Sequence, residues 1–327
     1  MVQNQVLSSC MAWCRMVSEQ WNRFWFTARP ISILAALRWC FGALLLYSHI
    51  VLASDLHAFI GDHAWINQEL GQTPSDGSSA PVASSFSYLW KIQSPFWISV
   101  HHLFTIVVTA SWCVGLLTRV TGPLCWFLQL MYLHRLTGAL FGFDQIITYA
   151  VMYLMIAPTG ACWSVDRLLR ERFSSRLENK IGRWIFPLSY PSVSANIATR
   201  LFQLHLCIIY LFGGLSKARG VTWWDGTAAW YALANLEYQS LDMTWLSSYP
   251  FTLAAMTTLT LIWELSYAAL VWPRVTRPVV LAIAIGVHLG IALMLGMATF
   301  GIAMICANLI FIEPWRDKNQ GSELKPR

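Results

Sequence analysis

The sequence predicts an all-α polytopic membrane protein of about eight transmembrane helices, with the N- and C-termini cytoplasmic, and three observations carry that prediction. Hydrophobic residues fill 56% of the 327 positions and charged residues only 12%, about half the roughly 25% charge share of soluble domains. Apolar runs close to the ~20 residues that cross a bilayer recur along the chain. Lysine and arginine are sorted onto one side of those runs. Eighteen Trp, 17 Phe and 11 Tyr add rings suited to the membrane interface, where one edge is apolar and the other wet.

Taken in order, residues 1–29 read as an interfacial N-terminal segment, 30–315 as one membrane domain and 316–327 as a cytoplasmic tail. Trp13, Trp21, Phe24, Trp25 and Phe26 interleave with Arg15, Arg23 and Arg29, the mixture expected of a helix lying in the headgroup plane. The segment lacks the compact apolar core and cleavage site of a signal peptide. Predicted spans lie near 33–53, 96–117, 122–135, 146–162, 197–216, 251–272, 279–297 and 300–313, the last being short enough for half of a helical hairpin.

With the N-terminus inside, the inner segments hold sixteen Lys and Arg and the outer ones three, setting aside Arg38, Arg135 and Arg200 within the runs. This asymmetry fixes the predicted orientation. It also accounts for the net charge of +6 without a nucleic-acid partner. The outer segment 54–95 carries GQTPSDGSSAP, whose Gly, Pro and Ser favour turns, and the inner segment 163–196 reads as a basic interfacial connector.

Most of the eight Cys lie in apolar runs, where Cys packs as a small hydrophobe, and Cys10 and Cys14 lack a second ligand pair for a metal. His57 and His63 with Asp55 and Asp62 form a weak metal-ligand set on a flexible loop. His49, His101, His102 and His134 fall near outer span ends. Hydrolase elbows, P-loops and dinucleotide fingerprints are absent, as are the paired broken helices of many transporters.

Ionisable groups at membrane depth are costly and call for a partner or a role. Arg38 in the first span and Glu264 in the sixth read as a buried ion pair holding two helices in register, with a chemical role for Glu264 as the alternative. Lys217 ends the apolar run IIYLFGGLSKARG and precedes Trp223, Trp224, Asp225 and Gly226. An ammonium among aromatic rings is poorly solvated, which favours the neutral amine that acts as a base; snorkelling to the outer headgroups is the plainer reading. His288 sits mid-span. His205 precedes Lys217 by twelve residues, roughly 18 Å along a helix, and reads as packing or relay.

The segment RLFQLHLCIIYLFGGLSKARGVTWWDGTAAWYAL (200–233), together with WSVDRLL (163–169), WELSY (263–267) and VHLGIALMLGMATFGIAM (287–304), resembles the vitamin K-dependent gamma-carboxylase superfamily, the horizontally transferred transmembrane (HTTM) domain. The resemblance covers about 30–315. It implies a multi-helix membrane fold with a cavity open to quinone-bearing lipid, Lys217 as the catalytic base, and Tyr210, Trp223, Trp224, Asp225, Gly226 and His288 around cofactor or substrate. The implied cofactor is reduced vitamin K, a menaquinol-type hydroquinone, with O2 and CO2 as co-substrates. Membrane lipids and an exported peptide are the implied partners. Phe143-Asp144-Gln145 stands where the carboxylases carry a His, and the chain ends about where the membrane domain stops. A non-enzymatic factor assisting peptide maturation or export is therefore the second reading.

Overall fold

The computed structural model describes residues 2–61, 64–65, 86–173, 177, 179–188 and 191–312, with side chains from residue 10 onward. Asp62, His63 and GQTPSDGSSAP lie outside the described residues, so the loop metal set falls there in part.

Helix α1 (Val2–Phe26) precedes α2 (Ser32–Ser54), a short α3 (Leu56–Phe59), α4 (Pro95–Val114), α5 (Thr118–Arg135) and α6 (Gly142–Ile156). Two short helices, α7 (Val165–Arg172) and α8 (Lys180–Ile185), lead into α9 (Val193–Lys217). Short α10 (Val221–Trp224) and α11 (Ala228–Leu233) then precede α12 (Pro250–Leu270), α13 (Arg277–Met294) and α14 (Ala298–Asn308). Among the described residues there is one isolated backbone bridge and no strand.

Five helices, α2, α4, α9, α12 and α13, are long and apolar enough to cross a membrane. The other three predicted spans are helices at the expected places but fall short of that standard. Helix α6 stops at Ile156 because Ala157 precedes Pro158, whose ring disfavours a helical residue before it; Ala157 is extended (ψ 153°). Helix α14 has 11 residues before a 3-10 turn at Leu309–Phe311. Helix α5 has 18 residues and an internal Pro123.

The core follows from helical periodicity. On α2, the buried positions Leu34, Leu37, Arg38, Phe41, Leu45 and His49 recur every three to four residues, which puts them on one face. Leu34, Leu37, Phe41 and Leu45 belong to one core cluster with Trp112, Val151, Leu154, Phe202, Leu206, Tyr267 and Met304. The opposite faces of the long helices expose Leu103, Phe104, Val107, Ile208, Phe212, Leu259, Ile262 and Leu293, an outward apolar surface that lipid, rather than water, suits.

Arg38 overturns the expected pairing. Its guanidinium, wholly buried, donates to the carbonyls of Trp112 (3.0 Å), Cys113 (2.5 Å) and Trp163 (2.7 Å), and Glu264 pairs with Lys217 instead. The physical reason is that the last carbonyls of a helix have no intrahelical donor and carry partial negative charge, so α4 supplies an acceptor set without a carboxylate. Gly115 permits the approach, since its left-handed φ of 77° and missing Cβ leave room where a Cβ would sit 2.5 Å from the guanidinium.

Asp166 completes the same turn. It accepts from the amides of Leu117 (2.6 Å) and Thr118 (2.9 Å) and from the Thr118 hydroxyl (2.8 Å), satisfying orphan donors at the start of α5. Burial nevertheless holds its carboxyl above the ordinary range, against the pull of these donors. WSVDRLL is thus the turn that joins Arg38 of α2 to the α4–α5 corner.

Candidate functional site

Lys217 is placed by the glycines just before it. At Gly214, a Cβ would come within 3.0 Å of the Leu265 backbone nitrogen, so α9 and α12 approach closely there, as small residues permit between apolar helices. Lys217 and Glu264 consequently meet. The Lys217 Nζ donates to Glu264 Oε1 at 2.9 Å and lies 2.8 Å from Oε2, yet Oε2 has no hydrogen-bond donor directed at it. The Lys217 side chain is 31% exposed and that of Glu264 11%, so the pair sits at the rim of the bundle. The ammonium lies 5.5 Å from the Trp223 ring centre, within reach of a cation–π attraction.

The other residues of the WWDG stretch shape the backbone. Trp224, largely exposed, donates its indole N–H to Ala218 O at 2.7 Å, closing the end of α9. Asp225 accepts from the amide (3.0 Å) and hydroxyl (2.6 Å) of Thr227. Gly226 has φ 81° and fits against Ala254 where a Cβ would come within 2.8 Å; its carbonyl accepts from Thr257 at 3.1 Å. These contacts seat α10 and α11 on α12 beside Lys217.

Tyr210 lies seven residues before Lys217, two turns along the same face of α9 and roughly 10 Å away by helix rise. Its hydroxyl meets His288 Nε2 at 2.8 Å and accepts from Asn308 Nδ2 at 2.8 Å. Tyr267 donates to Asn308 Oδ1 at 2.7 Å. With Tyr210 accepting from Asn308, its own proton goes to His288 Nε2, which assigns the remaining proton of a neutral ring to Nδ1. That buried Nδ1 has no partner. Tyr210 and Tyr267 rings lie 4.1 Å apart, and Trp263 and Phe300 flank His288 at 6.3 and 5.9 Å.

The structure thus gathers Lys217, Tyr210, His288 and Glu264 on facing sides of α9, α12 and α13, with Trp223 of α10 beside Lys217, and leaves Arg38 elsewhere. His205 is apart from them: it bonds the Tyr153 hydroxyl at 2.6 Å, and its ring lies tilted against that of Tyr149, centres 4.2 Å apart.

A second polar array escaped the sequence reading. His102 Nε2 lies 2.8 Å from the His49 carbonyl, which can only accept, so a neutral His102 takes the Tyr132 proton on Nδ1 at 2.8 Å. Tyr132 then accepts from His101 Nδ1 at 3.2 Å, and His101 Nε2 accepts from Tyr88 at 2.6 Å. The half-buried Tyr88 phenol, in the segment between α3 and α4, is pushed up by burial. His49 ends the array with neither ring nitrogen hydrogen-bonded. Span-end histidines were visible in sequence; the tyrosines that connect them, one loop and one helix away, carried no signal. Among the described residues, no group of three or more His, Cys, Asp or Glu is placed to hold a metal ion.

No family model matches the chain, and no solved structure matches it. It is 24% identical over 231 residues to Uncharacterized protein YitO of Bacillus subtilis (strain 168), covering 67% of this chain and 66% of that protein. The chain therefore spans just under two thirds of its relative's length.

Proposed function

We propose that this chain is an integral protein of the cell membrane with eight spans and both termini cytoplasmic, an enzyme resembling the vitamin K-dependent gamma-carboxylases that acts on a lipid-soluble hydroquinone. The observation that carries the reading is the Lys217–Glu264 pair, set beside Trp223 at the edge of an apolar bundle. The residues fit a hydroquinone because the cluster offers a carboxylate oxygen, Glu264 Oε2, whose contact with Lys217 is not a directed hydrogen bond, and a ring nitrogen without a hydrogen bond, His288 Nδ1, while a hydroquinone brings both hydroxyl donors and oxygen acceptors.

When bound, the hydroquinone supplies an acidic hydroxyl and, with O2, the oxidation that drives removal of a substrate proton before CO2 adds. The protein's part is acid–base and positional. Lys217 and Glu264 together hold one exchangeable proton in the resting pair; a second leaves ammonium and carboxylic acid, a net charge of +1 that stabilises an adjacent anion. Lys217 is the catalytic base of this scheme in the arrangement whose shared proton rests on Glu264, so that the incoming proton goes to the amine. Tyr210 and His288 orient the ligand from below, and Trp223 limits water at the amine.

Mass spectrometry of quinones and lipids that copurify with the wild type and with Lys217→Ala tests the reading. Selective loss of one quinol from the variant supports it. Identical profiles favour the second reading, a non-enzymatic factor aiding maturation or export of a peptide, which the ion pair itself also suits, since an ammonium held by a carboxylate is a docking charge. In that case Lys217→Arg keeps function; in the enzyme it abolishes function.

A further inference from the structure

A basic pocket of about 470 Å³ lies where α1 meets α9, lined by Arg23, Arg29, Asn196 and Arg200 among others. It is a built feature. Asn196 Nδ2 donates to the carbonyls of Phe24 (2.8 Å) and Trp25 (2.9 Å) in the last turn of α1, where carbonyls lack intrahelical donors. Arg200 donates to Phe24 O at 3.3 Å and to Gln203 at 3.0 Å, and its guanidinium stacks 4.2 Å over the Phe24 ring. The Arg29 backbone exchanges two hydrogen bonds with Ser192, at 3.1 and 3.0 Å, tying the linker after α1 to the start of α9.

Two observations point to an occupant. Arg23, Arg29 and Arg200 line one pocket, so guanidiniums are gathered in one place, an arrangement that an anion stabilises. Asn196 is 1% exposed, and its Oδ1 has no donor. An apolar groove of about 430 Å³, lined by Met16, Val17, Gln20, Trp21 and Phe24, adjoins the pocket and shares Gln20 and Phe24 with it. Met16, Val17 and Trp21 are exposed there.

We propose that this pocket binds an anionic phospholipid whose headgroup carries a hydroxyl donor, of the phosphatidylglycerol type. The phosphate sits among Arg23, Arg29 and Arg200, a headgroup hydroxyl donates to Asn196 Oδ1, and an acyl chain follows the groove along α1. A choline headgroup has no hydrogen to give Asn196 and no net negative charge for the arginines, so phosphatidylcholine is the discriminating comparison. The site explains why α1, which carries Arg15 and Arg23 among exposed aromatics, is anchored by its final turn.

The test is native mass spectrometry of the full chain, delipidated in detergent and titrated separately with phosphatidylglycerol, phosphatidylcholine and soluble glycerol 3-phosphate. Phosphatidylglycerol binds at least tenfold more tightly than phosphatidylcholine, and Arg23→Gln, an exposed position whose loss leaves the α1–α9 bonds in place, weakens it about fivefold, as expected of one basic group near an anionic headgroup. Arg200→Gln weakens it further. Equal binding of the two lipids, or phosphatidylglycerol binding unchanged by Arg23→Gln, overturns the proposal. Glycerol 3-phosphate competing as well as the lipid overturns the lipid assignment in favour of a free phosphate ester.

Discussion

Arg38 and Glu264 should be energetically independent, and a double-mutant cycle measures this. Arg38→Leu removes three bonds from a charged donor to buried carbonyls at 2.5–3.0 Å. At ~1.5–3 kcal/mol each the bonds sum to several kcal/mol, but they share one side chain and do not add. The comparable loss, one half of a buried charged contact, costs ~3–5 kcal/mol, so ~4 kcal/mol is the expected destabilisation. Glu264→Gln weakens only the contact with Lys217, whose side chain is 31% exposed; solvent screening holds that cost to ~1–2 kcal/mol. Because the two sites share no partner, the double variant should lose the sum within ~0.5 kcal/mol. The readout is the unfolding free energy of purified protein in mixed micelles. The cycle of Lys217→Met with Glu264→Gln, run in parallel, should show a coupling of ~1 kcal/mol. A coupling above ~1 kcal/mol between Arg38 and Glu264 would refute the assignment of Arg38 to the end of α4 and restore the ion pair that the residue types alone imply.

Gly214→Val places a branched side chain where even a Cβ lies 3.0 Å from the Leu265 backbone; it should cost ~1–3 kcal/mol and separate Lys217 from Glu264, read as loss of the coupling just described. Burial raises Asp166 above its ordinary value of 3.8, so the folded state binds this proton more readily than the unfolded chain. The group's contribution to unfolding free energy therefore rises as pH falls from the folded value toward 3.8, and a pH series should show that slope in the wild type and not in Asp166→Asn. His49→Leu deletes two buried, unpartnered nitrogens at similar volume and should raise stability by ~1–2 kcal/mol; a fall in melting temperature would mean the ring has an additional ligand in the membrane.

How far the sequence discloses this molecule depends on whether a feature is written in side chains or in backbone. The buried face of α2 is legible because apolar residues recur at helical spacing from Leu34 to Leu45. The neighbourhood of Lys217 is legible in part because GG precedes it and WW follows, and Gly213 and Trp223 of these lie beside its amine. Glu264, read as the partner of Arg38, belongs instead to Lys217. The error has a physical origin: a guanidinium needs acceptors, and the end of α4 supplies main-chain carbonyls that no residue type announces, exposed by a glycine that looks like any loop glycine. The same holds for Asp225 and Gly226, which fold the turn carrying Trp223 and Trp224. Span lengths were overestimated where proline or a short hairpin ends a helix within an apolar run, as at Pro158 and after Asn308.

The array from Tyr88 through His101, Tyr132 and His102 to the His49 carbonyl has a built-in polarity. A carbonyl cannot give a hydrogen back, so the whole row is locked in one sense, and reversing any single hydroxyl strands its neighbours inside the protein. The row therefore behaves as a unit with one ground arrangement. Its outermost oxygen, on Tyr88, is left as the receiving end, so an arriving donor is met by lone pairs already oriented toward it.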